Sequence, residues 1–265
     1  MTSSVLSAGI AGIGFWTRGL PSWTAARAYL ADSVLPTDAP SRPSPQLLAP
    51  NERRRAPETV AVALEVALAA CIAAGRDPAT LSSVFASTHG DLAITDYMCQ
   101  TLASDPHSLS PTRFHNSVHN AAAGYWTIGA GAMAPATAIS AYDASFAQGL
   151  LEALAQLATG TEAVLLVGYD SASAGPLAQV SRSEGLLGAA LLLVADPQPG
   201  IPRLRASIQD TKDNPVENDG ALARLAAGNA MLPMLPLFEA LALARTQASI
   251  TAGSGKKLEM EIAYD

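Results

Sequence analysis

The sequence predicts a layered α/β fold: a mixed, mostly parallel sheet with helices on both of its faces. Three observations predict it. Short apolar runs recur along the chain, each closed by Gly, Ser or Asp, and most are apolar at every position, as buried strands are. Between them lie stretches with helical spacing, entered at Pro or Ser and stopped at Gly. Hydrophobic residues make up 49% of the 265-residue chain and charged residues 15%, so there is ample material for a core between layers.

The strands are expected at Val5–Gly12, Ser83–Ser87, Thr137–Ala141, Ala163–Val167 and Leu187–Val194. The helices are expected at Pro57–Ala74, Ile94–Ala103, Ser117–Ile128 and Ser145–Thr159. The last carries Phe146, Leu150, Leu151, Leu154 and Leu157 on one face and stops at Gly160. Alternation of the two element types implies a mainly parallel sheet. The proline-rich Leu35–Pro50 reads as an irregular surface loop, and the polar Gln209–Gly220 as a second one. A proline-broken helix over Met231–Arg245 and a strand-like run over Leu258–Tyr264 follow. No linker demands two independent domains, so the chain is expected to be one domain over 1–265.

A net charge of −7 argues against nucleic acid and anionic membrane as partners. The N-terminal stretch has no basic residue before Arg18 and reads as a buried first strand, not a leader. The most apolar run, Leu186–Ala195, is too short to span a bilayer. Cys71 and Cys99, the two cysteines, make no disulfide framework and fit the reducing cytoplasm. Both read as core thiols. GIAGIG lacks the glycine spacing of a dinucleotide fingerprint, and no cofactor motif is expected.

Three segments together resemble the N-terminal part of β-ketoacyl synthases. They are NERRRAPETVAVALEVALAACIAAGRDPATLSSVFASTHGDL, SPTRFHNSVHNAAAGYWTIGAG and AISAYDASFAQGLLEALAQLATGTEAVLLVGYD. SVHNAAAGYW and SFAQGLLEAL also resemble a short synthase-like subfamily of aryl-polyene or related pigment pathways. The resemblance implies a thiolase-type fold reduced largely to its first half (1–200), with a short C-terminal extension (201–265). In that family a Cys at the strand-to-helix turn is the nucleophile, and two His come from the second half. Here Asp143 stands at the Cys position. All four histidines, His89, His107, His115 and His119, lie before it, so the Cys-His-His set is missing.

A helix N-terminus keeps a carboxylate ionised, which makes Asp143 a poorer nucleophile and base. It reads as a brace of the turn, as a non-covalent group of a retained acyl pocket, or as a carboxylate nucleophile. Ser145, with Gln148 three positions on, fits a capping box. His115 and His119 fall at i, i+4 and are expected to share a helix face. With no third ligand nearby, no metal is expected, and packing, an interface or a pocket remain. Asn116 and Asn120 are judged with them, Asn120 as a brace for the Asp143 turn. His89 and Asp170 follow strand ends, where α/β folds place functional groups. Arg53, Arg54 and Arg55 are a docking face for an acidic acyl carrier protein or a solvated helix entry.

The resemblance implies a non-condensing partner, chain-length-factor-like, that pairs with a ketosynthase or with a second copy of itself. Two alternatives stay open. One is a free-standing acyl-thioester hydrolase or acyltransferase using Asp143, His89 or His119. The other is a non-catalytic binder of an acyl carrier protein or pathway intermediate.

Overall fold

A computed structural model describes residues 5–211 and 216–264. Eight strands form one sheet. In chain order they are β1 (Leu6–Thr17), β2 (Ser82–Ala86), β3 (Ala136–Ile139), β4 (Ala163–Asp170), β5 (Leu187–Val194), β6 (Arg203–Asp210), β7 (Gln247–Gly253) and β8 (Lys256–Ala263). Their spatial order is β3-β2-β4-β5-β1-β6-β8-β7. The helices are α1 (Trp23–Asp32), α2 (Pro50–Arg55), α3 (Glu58–Ala74), α4 (Leu92–Ser104), α5 (Pro111–Asn116), α6 (Ala121–Ala130), α7 (Ser145–Ala158), α8 (Ala221–Leu225) and α9 (Leu235–Ala242).

The sheet is mixed, as expected, but its parallel share is smaller than predicted. Only β2 is parallel to a neighbour on each side, β3 on one and β4 on the other, and every other pairing is antiparallel. β1 runs against both β5 and β6, β5 runs against β4, and β6, β8 and β7 form an antiparallel run. Helix alternation predicts crossovers and does not register a strand that inserts between two later ones.

Strand alternation feeds two cores. On β4, Val164 and Leu166 enter one cluster with Phe146, Leu150 and Leu154 of α7 and Phe238 of α9. Leu165, Val167 and Tyr169 enter the other, with Val60 and Val66 of α3 and Trp126 of α6. Each fully buried Leu or Phe contributes roughly 1.5–3 kcal/mol relative to an exposed one. All eight positions of β4 and of β5 are buried, which is why their sequences show no polar face.

The glycines of GIAGIG have a packing role. A methyl on Gly12 would lie 2.1 Å from the Ala70 carbonyl oxygen, and on Gly14 1.9 Å from that of Val66. Their absence lets α3 rest directly on the backbone of β1.

β6, β8 and β7 widen the same sheet. Leu204, Ala206, Leu258, Met260 and Ile262 point into the α7/α9 core. The opposite face of these strands is polar, with Arg205 and Glu261 paired at 3.5 Å. The Leu35–Pro50 stretch is irregular apart from the first residue of α2, as expected. In the predicted loop Gln209–Gly220, Gln209 and Asp210 end β6, and 212–215 lie outside the described residues. The proline-broken helix resolves into a 3-10 turn, Leu232–Met234, and α9.

α7 lies in the trough of the sheet and touches β1, β2, β3, β4, β5 and β7. Its neighbours thus include both end strands of the sheet. No described helix is long and apolar enough to cross a membrane.

Candidate functional site

The site is built where β2, β3 and β4 end. β3 runs through Ser140 and Ala141 into a 3-10 turn, Tyr142–Ala144, and then α7. Tyr142 sits at φ 55°, a left-handed conformation that costs a non-glycine residue roughly 1–2 kcal/mol. The strained residue at this bend is therefore the one before Asp143.

Ser145 holds the bend together. It is buried; its Oγ donates to the Tyr142 carbonyl at 2.6 Å and accepts from the Ala141 N–H at 2.9 Å. This corrects the capping-box expectation. Ser145 is the first residue of α7 and not its cap, and the side chain of Gln148 donates to the Ala252 carbonyl at 2.8 Å. The hydroxyl reaches backward because the left-handed Tyr142 turns its carbonyl toward it. Asp143 is exposed and has no hydrogen bond or ion pair among the described residues.

A polar cluster lies behind the bend. Asp170, at the end of β4, is fully buried. Its carboxylate accepts from Ser87 Oγ at 2.6 Å and from the Thr88 N–H at 3.1 and 3.0 Å. His89 Nδ1 stands 4.0 Å from Asp170 Oδ1 and 3.1 Å from the Gly90 carbonyl oxygen, while its Nε2 is buried without a partner. Burial pushes the Asp170 carboxyl above its ordinary range, and the nearby His89 and the Ser87 and Thr88 hydrogen bonds oppose that rise. His119 Nε2 meets the Ser87 carbonyl at 2.9 Å. Asn229 donates to the Asp170 and Glu184 carbonyls at 3.2 and 2.9 Å, which binds the C-terminal segment to the cluster.

The structure thus brings together His89, His119 and Asp170, with Asp143 and Ser145 on the adjoining turn. It does not unite the other candidates with them. His115 and His119 do not share a helix: α5 ends at Asn116 and α6 begins at Ala121. His115 is exposed, its ring edge-on to Tyr125 at 5.9 Å. Asn116 is buried with Oδ1 unpaired, and exposed Asn120 is the N-cap residue of α6 without a side-chain cap bond. No hydrogen bond joins Asn120 to the Asp143 turn among the described residues, so the expected brace is not formed. Arg53 bonds Gln46 Oε1 and the Leu48 carbonyl, Arg54 bonds Asn51, and Arg55 is exposed on α2. Cys71 is buried, but Cys99 is exposed on α4 and is not the core thiol expected. Among the described residues no cluster of three or more His, Cys, Asp or Glu could hold a metal ion.

Sequence reasoning missed Ser87, Thr88, Tyr142 and Asn229. Thr88 was within reach, since it precedes His89 at the same strand end. Nothing local marks Tyr142, because a bulky residue at positive φ carries no signature.

The three quoted segments and one shape now converge: a thiolase-type sheet with a helix in its trough, entered by a sharp turn. The β-ketoacyl synthase N-terminal domain family matches residues 23–253, and the chain belongs to that family. Among solved structures it is similar to the ketosynthase ApeO in complex with its chain length factor ApeC from Xenorhabdus doucetiae, at 23% identity and TM-score 0.73 over 97% of this chain and 99% of that one. It is similar to AntDE:AntF, a type II PKS acyl-carrier protein in complex with its ketosynthase, at 13% identity and TM-score 0.75 over 99% of this chain and 100% of that one. It is also similar to the ishigamide ketosynthase/chain length factor, at 14% identity and TM-score 0.75 over 97% of this chain and 99% of that one. At these identities the likeness establishes the fold. No curated protein matches the chain by sequence.

Proposed function

We propose that the chain is a non-condensing, chain-length-factor-like partner of an active ketosynthase, in a fatty-acid or polyketide pathway of aryl-polyene or pigment type. The observation that carries it is the turn itself. Its strand, bend and helix are intact, yet an exposed, unpartnered carboxylate stands at the nucleophile position. A carboxylate there, with no histidine after His119, does not assemble the attacking thiolate and His pair that condensation needs.

A free sheet edge gives the partner its seat. Among the described residues β3 pairs only with β2. On α6, which packs beside β3, and on the segments that flank β3 in the chain, Ile128, Met133 and Tyr142 are exposed, Met133 at 95%. An unpaired strand edge set among apolar side chains favours association. A ketosynthase subunit is the occupant to which the fold's likeness to ketosynthase/chain length factor proteins points. Beside the turn, Ile139, Ala144, Leu151, Ala155 and Ala252 line a groove of 550 Å³, apolar enough to border an acyl chain. Arg54 and Arg55 on α2 suit an acidic carrier protein.

Co-expression of this chain, tagged, with an aryl-polyene-type ketosynthase tests the reading. A one-to-one complex by light scattering supports it. A monomer that turns over acyl thioesters, and loses that activity on Asp143→Asn, overturns it in favour of a free-standing enzyme.

A further inference from the structure

The strained turn is gripped from outside by one residue. The Thr88 carbonyl accepts from Ser140 Oγ at 2.8 Å, and Thr88 Oγ1 donates to the Tyr142 carbonyl at 3.4 Å. Thr88 therefore holds the chain on both sides of Ala141. Its N–H is bound in turn by both oxygens of the Asp170 carboxylate. Every polar group of Thr88 is engaged between that carboxylate and the turn.

The carboxylate is placed so that one proton would disturb this arrangement. An ionised carboxyl only accepts; a protonated one must also donate. Ser87 Oγ donates to Asp170 Oδ1 at 2.6 Å and accepts from the Gly90 N–H at 2.9 Å. A proton arriving on Asp170 either reverses the Ser87 hydroxyl or leaves the Thr88 N–H a single oxygen. The His89 ring lies beside the carboxylate. Its side chain is 8% exposed, Nδ1 lies 4.0 Å from Asp170 Oδ1, and buried Nε2 has no partner. An unpaired buried ring nitrogen is costly, and in this arrangement Nε2 is one.

We propose that Asp170, acting through Thr88, holds the Asp143 turn in its strained form, and that a proton taken up by Asp170 switches that hold. The titratable groups near its carboxyl come from three places. His89 lies on the turn after β2, His119 reaches in from the α5–α6 loop, and Tyr169 adjoins Asp170 on β4. The C-terminal segment contributes the neutral amide of Asn229. The device acts on the turn itself, whatever docks there.

The backbone amides of Ser140, Ala141 and Tyr142, followed by NMR from mildly acid to neutral pH, test it. The parent chain carries Asp143→Asn, which leaves the turn no carboxylate of its own. The three amides are expected to shift together, with one midpoint. Asp170→Asn is expected to abolish that shift. Thr88→Val keeps the N–H bound to Asp170 and loses only the bond to Tyr142, so Tyr142 should go flat while the amide of residue 88 still shifts. His119→Gln should change nothing. Flat amides in the parent chain, or a Tyr142 shift that survives Thr88→Val, overturn the proposal. If Asp170→Asn fails to fold, the Thr88→Val result decides alone.

Discussion

Gln148 and Ala252, 104 residues apart in the chain, are joined by a 2.8 Å hydrogen bond from the side-chain amide to the backbone carbonyl. The bond fastens the first turn of α7 to the last strand edge of the sheet. Gln148→Ala removes it and leaves the Ala252 carbonyl unpaired, a loss of about 1–2 kcal/mol. Amide hydrogen exchange should accelerate in β7 before it does in β4.

Ser145 and Asp143 should separate sharply on mutation. Ser145→Ala deletes two buried hydrogen bonds and is expected to cost about 1–3 kcal/mol. Asp143→Ala changes an exposed side chain and should fall within about 0.5 kcal/mol of the parent. Urea denaturation of both variants reads the difference, and equal effects would contradict the assigned roles.

Gly14→Ala should be strongly damaging for so small a change. The new methyl would meet the Val66 carbonyl oxygen at 1.9 Å, and a helix backbone cannot swing aside as a side-chain tip can. A loss of about 3 kcal/mol is expected, at the upper end of overpacking, visible as a lowered Tm or as insoluble protein.

Thiol labelling should distinguish the cysteines. Cys99 is exposed and should alkylate in the native protein. Burial, with the negative charge of Asp77 added, pushes the Cys71 thiol up to about 12, so almost no thiolate forms near neutrality. Mass spectrometry should find Cys71 modified only after unfolding; rapid native labelling would mean that α3 opens.

Stability should depend on pH through Asp170. Its folded-state carboxyl titrates above its unfolded value because it is buried. The stability it contributes is therefore present at low pH and lost as pH rises through the folded value. Asp170→Asn should gain on the parent chain as pH climbs toward neutrality. Urea midpoints of the two, compared across pH, check the sign.

The parts of the fold that were legible are those written locally. α7 announces itself by Phe146, Leu150, Leu154 and Leu157 and by the glycine after its end. β4 and β5 show because burial on both faces leaves them no polar position. β6, RLRASIQD, was passed over because its outward residues are charged or polar and break the apolar run. β7 was missed for the same reason. Strand direction was misjudged because β1 joins its neighbours across long stretches of chain, and no local residue records which way it will lie. The site divides in the same way. Asp143, Ser145, His89 and Asp170 can be picked out from strand ends and a helix start. The Ser87–Asp170 bond spans 83 residues, and only folding makes it visible. The His115–His119 spacing misled because a break after Asn116 interrupts the helical register on which it depended.

The two ends of the sheet are not equivalent. At one end β7 is tied to α7 by Gln148, and shares a groove with Val216–Gly220. At the other, β3 has no strand on its outer side among the described residues. β7 too has one strand neighbour there, β8, so what sets the two ends apart is the clamp of α7 at Ala252 and not the strand pairing. Strand-to-strand joining at β3 would leave that clamped edge as it is, since the two ends lie on opposite margins of the sheet.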